Sequence, residues 1–435
     1  MEEKAGKARE SRQATIDELL QSFDLAVTLT ANVPGWPKEY LTANAVLLPF
    51  IYKLLERFPE LSLLTAYDEL GAFLAFGLNG DKEEVKSFGL TLEDSPLGRL
   101  VDIDVYYLDE EKPAVLSRTD LGRGARSCFL CDDEAVICRR LERHAAPDLR
   151  TAFDSIYEAY LKELPFFERL ATLAEAALWN ELCRHYGFGT VTLNSKGSHR
   201  DMDVPLLLAS IRVIGDGIRS LNETDVSSFD RLRQKGQAME AAMFNATDGV
   251  NTHKGAIFHL LIATSAIYRR PELLHAETGL KTYIFALHEE IKEIAAPLLG
   301  ELLAIDELAD DEKVKLKGGL KSYVKYGHGG ARQEAIRGYE TLLKKWLPRF
   351  SAVPEIEPLL PEILERTWDT TTLERGGFGM LQTLRMMALR AGSKEDLAYL
   401  SAWCEEHDLT TGGSADLIGL LYYFYLIYTF RAALA

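Results

Sequence analysis

The spacing of apolar residues along this chain changes near residue 150. Before that point the apolar runs are short and rich in β-branched and aromatic residues, which is typical of strands. We expect strands at residues 45–51, 72–78 and 99–108. In the last run Val101, Ile103 and Val105 alternate with Asp102 and Asp104, which is the period of a strand with one apolar face.

After residue 150 the apolar positions recur every three to four residues, as on one face of an α-helix. These helical patterns cover residues 153–186, 204–221, 254–268, 280–303 and 393–406. Residues 417–430 are apolar on all sides and predict a buried C-terminal helix, because a membrane span needs roughly 20 such residues. We expect an α+β N-terminal domain, residues 1–160, followed by a larger all-α domain, residues 161–435.

Composition and charge narrow the classes of function. The chain has 435 residues and a formal net charge of −17, so nucleic acid and anionic membranes are not expected as partners. Its five cysteines are too few for a disulfide scaffold and fit a reducing compartment. The charged start of the chain lacks the apolar run of a signal peptide, and we expect a cytoplasmic protein.

Asp102 and Asp104 lie two positions apart on a predicted strand and therefore on the same face of it. Neighbouring carboxylates repel each other and lose hydration on an apolar strand unless a cation lies between them. Nucleotidyl and phosphoryl transferases use such pairs to hold Mg²⁺ against a phosphate. Spacing alone leaves open the alternative of a solvent-facing strand with two ordinary aspartates.

Three of the five cysteines lie within eleven positions, and a histidine follows them. The residues are Cys128, Cys131, Cys138 and His144, spaced Cys-x2-Cys-x6-Cys-x5-His. Thiolates and an imidazole suit Zn²⁺ in a closed tetrahedral site, although this spacing is not that of a standard zinc finger. A structural zinc site and a set of buried free thiols both remain open.

Five sequence blocks follow one another between residues 5 and 150. They are Arg9, Glu10 and Arg12; Thr30, Asn32, Pro34, Gly35 and Lys38; residues 97–105; Ser117 and Arg118; and residues 126–144. In this order they resemble the family of apo-citrate lyase phosphoribosyl-dephospho-CoA transferases. The resemblance implies transfer of the phosphoribosyl-dephospho-CoA group to a serine of the apo acyl-carrier subunit of citrate lyase, with release of pyrophosphate. It implies catalytic roles for Arg99, Asp102 and Asp104, with Mg²⁺ on the two aspartates, and phosphate contacts for Lys38, Arg118 and Arg126.

In the C-terminal half, residues 247–258 crowd polar residues and glycine immediately before an apolar helix. Backbone N–H groups at a helix start can receive a phosphate, with Lys254 as counter-charge, although an ordinary capped helix gives the same pattern. Further loops combine glycine with charged side chains at residues 197–201, 329–334, 369–377 and 412–416. Their convergence would form a metal–polyphosphate site in a helical bundle.

These blocks, over residues 165–425, resemble the triphosphoribosyl-dephospho-CoA synthase family, whose hallmark is the string Gly-Val-Asn-Thr-His-Lys-Gly. The resemblance implies that ATP and 3′-dephospho-CoA are joined. A ribose hydroxyl attacks C1′ of ATP, adenine leaves, and the product is the substrate of the N-terminal reaction. The implied catalytic residues are His253 and Lys254. We assign phosphate contacts to Lys254, Arg332 and Arg375, Mg²⁺ contacts to Asp201 and Asp416, and substrate orientation to His199, Asn251 and His253.

The chain departs from the synthase pattern at residues 186–192. The family has Pro-Lys-Pro-Gly-Leu-Val-Asp there, whereas Gly187 and Thr192 occupy the positions of the lysine and the aspartate. Two alternatives accompany the bifunctional interpretation, and this departure favours the first of them. In one, only the N-terminal transferase is active and the helical half is a degenerate nucleotide- or carrier-binding module. In the other, the same chemistry serves malonate decarboxylase.

Overall fold

The computed structural model describes residues 2–316 and 318–435, and the chain divides into two compact units after Leu164. We call them the N-terminal unit and the C-terminal unit. Within the described ranges, no helix combines the length and the apolar character that crossing a bilayer requires.

The N-terminal unit is built on one antiparallel sheet with the strand order β2-β3-β1-β4-β5. The strands are β1 Leu25–Ala31, β2 Ser62–Asp68, β3 Gly71–Leu78, β4 Val101–Asp109 and β5 Lys112–Leu116. The helices are α1 Glu2–Leu20, α2 Leu41–Ala45, α3 Leu48–Arg57, α4 Lys82–Glu93, α5 Ala135–Arg140 and α6 Ala146–Lys162. Helix α1 covers the sheet with Ile16, Leu19 and Leu20, which pack against Ala26 and Phe73.

The strand predictions for this unit are confirmed in two cases and wrong in one. Residues 72–78 lie in β3, and the alternating run forms β4, although β4 begins at Val101 after a short 3₁₀ turn. Residues 45–51 run from the end of α2 through a two-residue turn into α3 and form no strand. Pro49 stands in the first turn of α3, where a proline fits a helix, and Phe50 and Leu54 follow at helical spacing. A short apolar run without alternation cannot distinguish a buried strand from a buried helix.

The C-terminal unit is a bundle of helices. They are α7 Phe166–Leu182, α8 Val204–Arg219, α9 Glu223–Ser227, α10 Phe229–Ala246, α11 Lys254–Arg269, α12 Leu280–Asp306, α13 Asp310–Lys313, α14 Gly318–Tyr326, α15 Ala331–Ile336, α16 Leu347–Ala352, α17 Leu360–Arg366, α18 Thr370–Ala388, α19 Lys394–Glu406, α20 Gly412–Thr429 and α21 Arg431–Leu434. Helices α7, α11 and α20 pack together at the centre, where Trp179, Ile267 and Tyr423 are fully buried.

The helix predictions for the C-terminal unit are confirmed except at one junction. The stretches 204–221, 254–268, 280–303, 393–406 and 417–430 each contain a helix, whereas residues 153–186 form two. Pro165 has extended ψ and precedes α7, so it ends the first helical pattern and starts the second. The expected fold class is thus confirmed at the level of a sheet with helices followed by a larger helical unit.

Candidate functional sites

The pairing of β4 with β1 places Asp102 and Asp104 on one face, opposite Thr30 and Thr28. Both carboxylates are half-buried. Burial raises the pKa of Asp104 above its usual range, and repulsion by Asp102 raises it further. A bound cation would therefore stabilise the ionised form of Asp104, because it would offset both effects.

Arg126 connects the aspartate pair to a buried carboxylate. Its Nη1 donates to Asp102 Oδ1 at 2.7 Å, and its Nη2 donates to Glu93 Oε1 at 2.5 Å. The Glu93 side chain is only 4% exposed and also accepts the N–H of Ile103 at 3.1 Å. Arg118 Nη1 lies 3.8 Å from Glu93 Oε2. Glu93 thus holds two cations beside β4, and no motif in the sequence marks it.

Beside this pair is a cavity of about 1080 Å³ with a cationic wall. Four cations line it: Lys38, Arg99, Arg126 and Arg139. Arg99 donates twice to Ser127 O, at 2.7 and 3.0 Å, and lies over the ring of Phe129. Burial lowers the pKa of Lys38. Within the described ranges, Arg99 Nη1 and Arg118 Nε are buried without a hydrogen-bond partner. Such donors favour a polyanionic ligand because an unpaired buried donor costs free energy.

The cysteine–histidine cluster forms part of the wall of the same cavity. The ligand atoms of Cys128, Cys131, Cys138 and His144 lie within 4.8 Å of one another. Cys131 Sγ is 3.4 Å from Cys138 Sγ and 3.3 Å from His144 Nε2. A tetrahedral zinc with Zn–S bonds of about 2.3 Å separates its ligand atoms by about 3.8 Å. Because all three cysteines are free thiols at this spacing, the donor set fits Zn²⁺.

In the C-terminal unit, several of the predicted residues line a cavity of about 140 Å³. They are His199, Asn251, His253, Lys254 and Asp416. The cavity lies at the start of α11 and is closed by the ends of α7 and α20. The structure therefore brings five of the predicted side chains to one place.

His253 is the residue that precedes α11, and its side chain is buried. Its Nδ1 lies 2.7 Å from Ser210 Oγ, which in turn accepts a hydrogen bond from Thr252. Burial lowers the pKa of His253 to about 4, so the imidazole is neutral at pH 7. A neutral imidazole held by Ser210 suits orientation of a substrate and does not supply positive charge.

The lowered pKa of His253 predicts a pH-dependent stability. The unfolded histidine takes up a proton near pH 6.5 and the folded one only near pH 4, so stability is full above pH 6.5 and falls as the pH drops towards 4. The shift corresponds to roughly 3 kcal/mol of unfolding free energy. We expect urea unfolding between pH 7 and 4 to show a smaller decline in His253→Gln than in the unsubstituted protein. Identical declines in the two proteins would contradict this interpretation.

Asp416 approaches the start of α11 from α20. Its carboxylate accepts the N–H of Ala256, and a Cβ on Gly255 would stand 1.9 Å from Asp416 Oδ2. The sequence pattern predicted that the N–H groups at the start of α11 bind a phosphate. One of them, that of Ala256, is instead bound by the carboxylate of Asp416. Burial raises the pKa of Asp416, and the nearby charges of Asp369 and Glu181 raise it further.

Glu181 is a second carboxylate on this cavity, and sequence reasoning missed it. It is buried and forms an ion pair with Arg184. Burial raises its pKa. A signal was present in the sequence: Glu181 lies in the last turn of α7, where residues 173–182 are all buried, and a buried acid in an apolar helix requires a partner or a function.

The remaining predicted residues lie elsewhere. Arg375 is exposed and donates to Ser198 O at 2.9 Å, and its Nη2 lies 3.4 Å from His199 Nδ1. Asp201 is exposed and does not line the cavity that Asp416 lines. Arg332 lines a separate cavity of about 330 Å³, which it shares with Lys254. The predicted phosphate contacts are therefore spread over two cavities and one loop.

The segment that departs from the synthase pattern still contributes to the cavity, through Thr190 and Val191. Gly189 has φ 81°, and a Cβ there would lie 1.9 Å from Leu409 O, so this position requires glycine. Arg184 donates to Thr190 Oγ1 at 3.1 Å. A buried arginine thus supports this turn, in a segment where Gly187 replaces a lysine.

Comparisons with known proteins cover both units. Residues 167–430 match the family described as ATP:dephospho-CoA triphosphoribosyl transferase, and residues 5–160 match the family described as apo-citrate lyase phosphoribosyl-dephospho-CoA transferase. Protein CitXG of Haemophilus influenzae is 28% identical over 96% of this chain and 94% of its own length. Protein CitXG of Leuconostoc mesenteroides subsp. cremoris is 28% identical over 78% of this chain and 75% of its own length. A probable 2-(5''-triphosphoribosyl)-3'-dephosphocoenzyme-A synthase of Streptococcus equi subsp. zooepidemicus is 33% identical over 59% of this chain and 96% of its own length.

Proposed function

Because the chain belongs to the ATP:dephospho-CoA triphosphoribosyl transferase family and carries an apo-citrate lyase phosphoribosyl-dephospho-CoA transferase domain at residues 5–160, we propose that its two units perform consecutive steps. The C-terminal unit makes 2′-(5″-triphosphoribosyl)-3′-dephospho-CoA from ATP and 3′-dephospho-CoA. The N-terminal unit transfers the phosphoribosyl-dephospho-CoA group to a serine of the apo acyl-carrier subunit of citrate lyase. Relatives that match along both units favour this function over a degenerate helical half. The citrate lyase family match favours it over a malonate decarboxylase carrier.

The observation that carries the C-terminal assignment is the convergence of His253, Lys254 and Asp416 on one cavity. In the reaction, a ribose hydroxyl of dephospho-CoA forms a bond to C1′ of ATP while the bond to adenine breaks. Adenine leaves with the electron pair of the broken bond and takes up one proton, which balances the proton that the attacking hydroxyl loses. The activation free energy is lowered mainly by holding the two anionic nucleotides in line, and this requires fixed cations and hydrogen bonds. Lys254 supplies positive charge, and neutral His253 and Asn251 orient the sugar.

Mg²⁺ would neutralise the triphosphate of ATP in this unit. Asp416 and Glu181 are the residues suited to hold it, because both line the cavity and both have raised pKa values that a cation would offset. Asp201 does not line that cavity, so its assignment to the same ion receives no support from the geometry. His199 and Arg375 adjoin each other at the rim and would contact phosphate from there.

In the N-terminal unit the carrier serine attacks the α-phosphorus of the triphosphoribosyl group, and pyrophosphate leaves. This is chemistry of the nucleotidyltransferase type. Asp102 and Asp104 would hold Mg²⁺, which lowers the charge on the α-phosphate and the leaving group. Lys38, Arg99 and Arg126 line the cavity and would contact the phosphates, while Arg118 assists through Glu93.

Incubating the full chain with Mg-ATP, dephospho-CoA and the apo carrier tests the two-step function. We expect release of adenine and then of pyrophosphate, with a carrier mass increased by one prosthetic group. Pyrophosphate release only from added triphosphoribosyl-dephospho-CoA would instead show that the helical unit is inactive.

The free thiols of the protein and its two nucleotide substrates fit a cytoplasmic location.

We further propose that Cys128, Cys131, Cys138 and His144 bind one structural Zn²⁺ that stabilises the wall of the N-terminal cavity. The four ligand atoms leave no position for a catalytic water, as in closed structural sites. A metal at this point would fix the chain between Arg126 and α5. The role of these residues is therefore to position the cationic wall.

Cys131→Ser tests the zinc site, because Cys131 lies within 3.4 Å of two other ligand atoms. We expect elemental analysis to find about one zinc per chain in the unsubstituted protein and none in the variant. The variant should also lower the unfolding temperature of the N-terminal unit. Cys404→Ser, which removes a buried thiol from the C-terminal unit, should retain the metal. Metal-free protein of undiminished stability would identify the cluster as packed thiols.

A further inference from the structure

The cavity of about 330 Å³ in the C-terminal unit lies beside the proposed reaction centre. It is bounded by α10, α11, α12 and α15. Its floor is apolar and includes the buried side chains of Leu232, Leu261, Ile262 and Leu298. Cavities of this size with an apolar floor and a few polar groups at the rim are typical of small-molecule sites.

The charges at the rim of this cavity do not balance. Lys254 forms an ion pair with Glu240 at 2.9 Å, and Arg233 is paired with Glu301. Arg332, the third cation on the rim, forms no hydrogen bond or ion pair with any residue that the structure describes. Burial lowers its pKa, and the nearby charges of Glu301 and Glu240, which are already paired with other cations, offset this only in part. The rim is therefore suited to an anionic group next to an apolar one.

Lys254 lines both this cavity and the smaller cavity that contains His253. The smaller cavity, at about 140 Å³, has room for a sugar ring but not for a whole nucleotide. In dephospho-CoA the reacting ribose is followed by a diphosphate and then by the pantetheine arm. The smaller cavity, Lys254 and the larger cavity follow one another in the same order as the ribose, the diphosphate and the pantetheine arm.

Resting on the proposed function, we propose that the second cavity binds the pantetheine arm of dephospho-CoA, with the diphosphate between Lys254 and Arg332. The arm carries a gem-dimethyl group and methylenes that suit the apolar floor. Its amides can reach the polar groups at the rim, such as Gln237. An adenine base fits less well, because the ring nitrogens would be buried against hydrocarbon at the floor without hydrogen-bond partners.

Gly236 gives a direct way to fill the cavity. It lies within α10 and lines the cavity, and a Cβ there would meet only Leu261 Cδ1, at 3.2 Å. That atom is the end of a flexible side chain, so a larger residue can be accommodated at the expense of the cavity. Replacing glycine in a helix interior also favours the helix. Gly236→Leu should therefore fold and occupy part of the space for the arm, whereas Gly236→Ala should leave most of it open.

The test is adenine release by the full chain, with each substrate varied in turn. We expect Gly236→Leu to raise KM for dephospho-CoA tenfold or more with KM for ATP unchanged, and Gly236→Ala, which adds a single carbon, to give a smaller rise in the same constant. ADP, which has the diphosphate but no arm, should inhibit all three proteins competitively against dephospho-CoA with the same inhibition constant. If Gly236→Leu does not fold, Gln237→Trp at the exposed rim should give the same selective rise.

An unchanged KM for dephospho-CoA, or an equal rise in both KM values, would overturn the assignment of the arm and leave the proposed function standing. Absence of adenine release from the unsubstituted protein would overturn the proposed function and the assignment together.

Discussion

Asp104→Asn is expected to lower the rate of carrier modification by about a thousandfold or more while adenine release by the same protein stays unchanged. Asp104 shares one face of β4 with Asp102, and burial together with Asp102 raises its pKa. Replacing the carboxylate with an amide removes one of the two charges that hold Mg²⁺ against the α-phosphate. The amide keeps the shape of the side chain, so the sheet should remain intact.

The matched control is Asp109→Asn, which makes the same change at the exposed end of β4. It should leave both activities within twofold. Because Mg²⁺ needs the ionised carboxylate, the raised pKa of Asp104 also predicts that carrier modification by the unsubstituted protein declines as the pH falls through that pKa. A folded Asp104→Asn protein that modifies the carrier at the normal rate would remove Asp104 from the site.

Features set by local spacing could be predicted from the sequence. The alternation at residues 101–105 determined both the strand β4 and the common face of its aspartates. The spacing of Cys128, Cys131 and Cys138 on a short loop and helix was enough to predict a cluster of ligand atoms. The apolar run at residues 45–51 was assigned wrongly because it has neither period, and tertiary packing decided its conformation.

Features set by contacts between distant segments could not be predicted in this way. Glu93 acts on β4 from the end of another helix, and Asp416 caps α11 from a residue 160 positions later than Ala256. Both contacts depend on how helices pack, and local pattern carries no information about that. Helix packing also places Arg332 on a different cavity from His253 and Asp416. The sequence could not predict this, because the loop of Arg332 resembles the other glycine-containing loops.

Lys254 is the residue on which both cavities of the C-terminal unit depend, since it lines each of them. Lys254→Ala should lower adenine release by about a hundredfold to a thousandfold, because it removes the charge that lies between the reacting sugar and the proposed diphosphate site. It should also leave Glu240 unpaired at the rim, which repels the same phosphates. HPLC of free adenine after incubation with Mg-ATP and dephospho-CoA gives the measurement.

Two comparisons separate this role from a structural one. Lys235→Ala removes a cation of the same type from α10, where it pairs with Asp225 at 3.2 Å, and should leave adenine release within twofold. Lys254→Ala should still modify the carrier at the normal rate when triphosphoribosyl-dephospho-CoA is supplied, because that step uses only the N-terminal unit. Normal adenine release from folded Lys254→Ala would show that the phosphates are held elsewhere. Arg375 at the rim, beside His199, would then be the next cation to substitute.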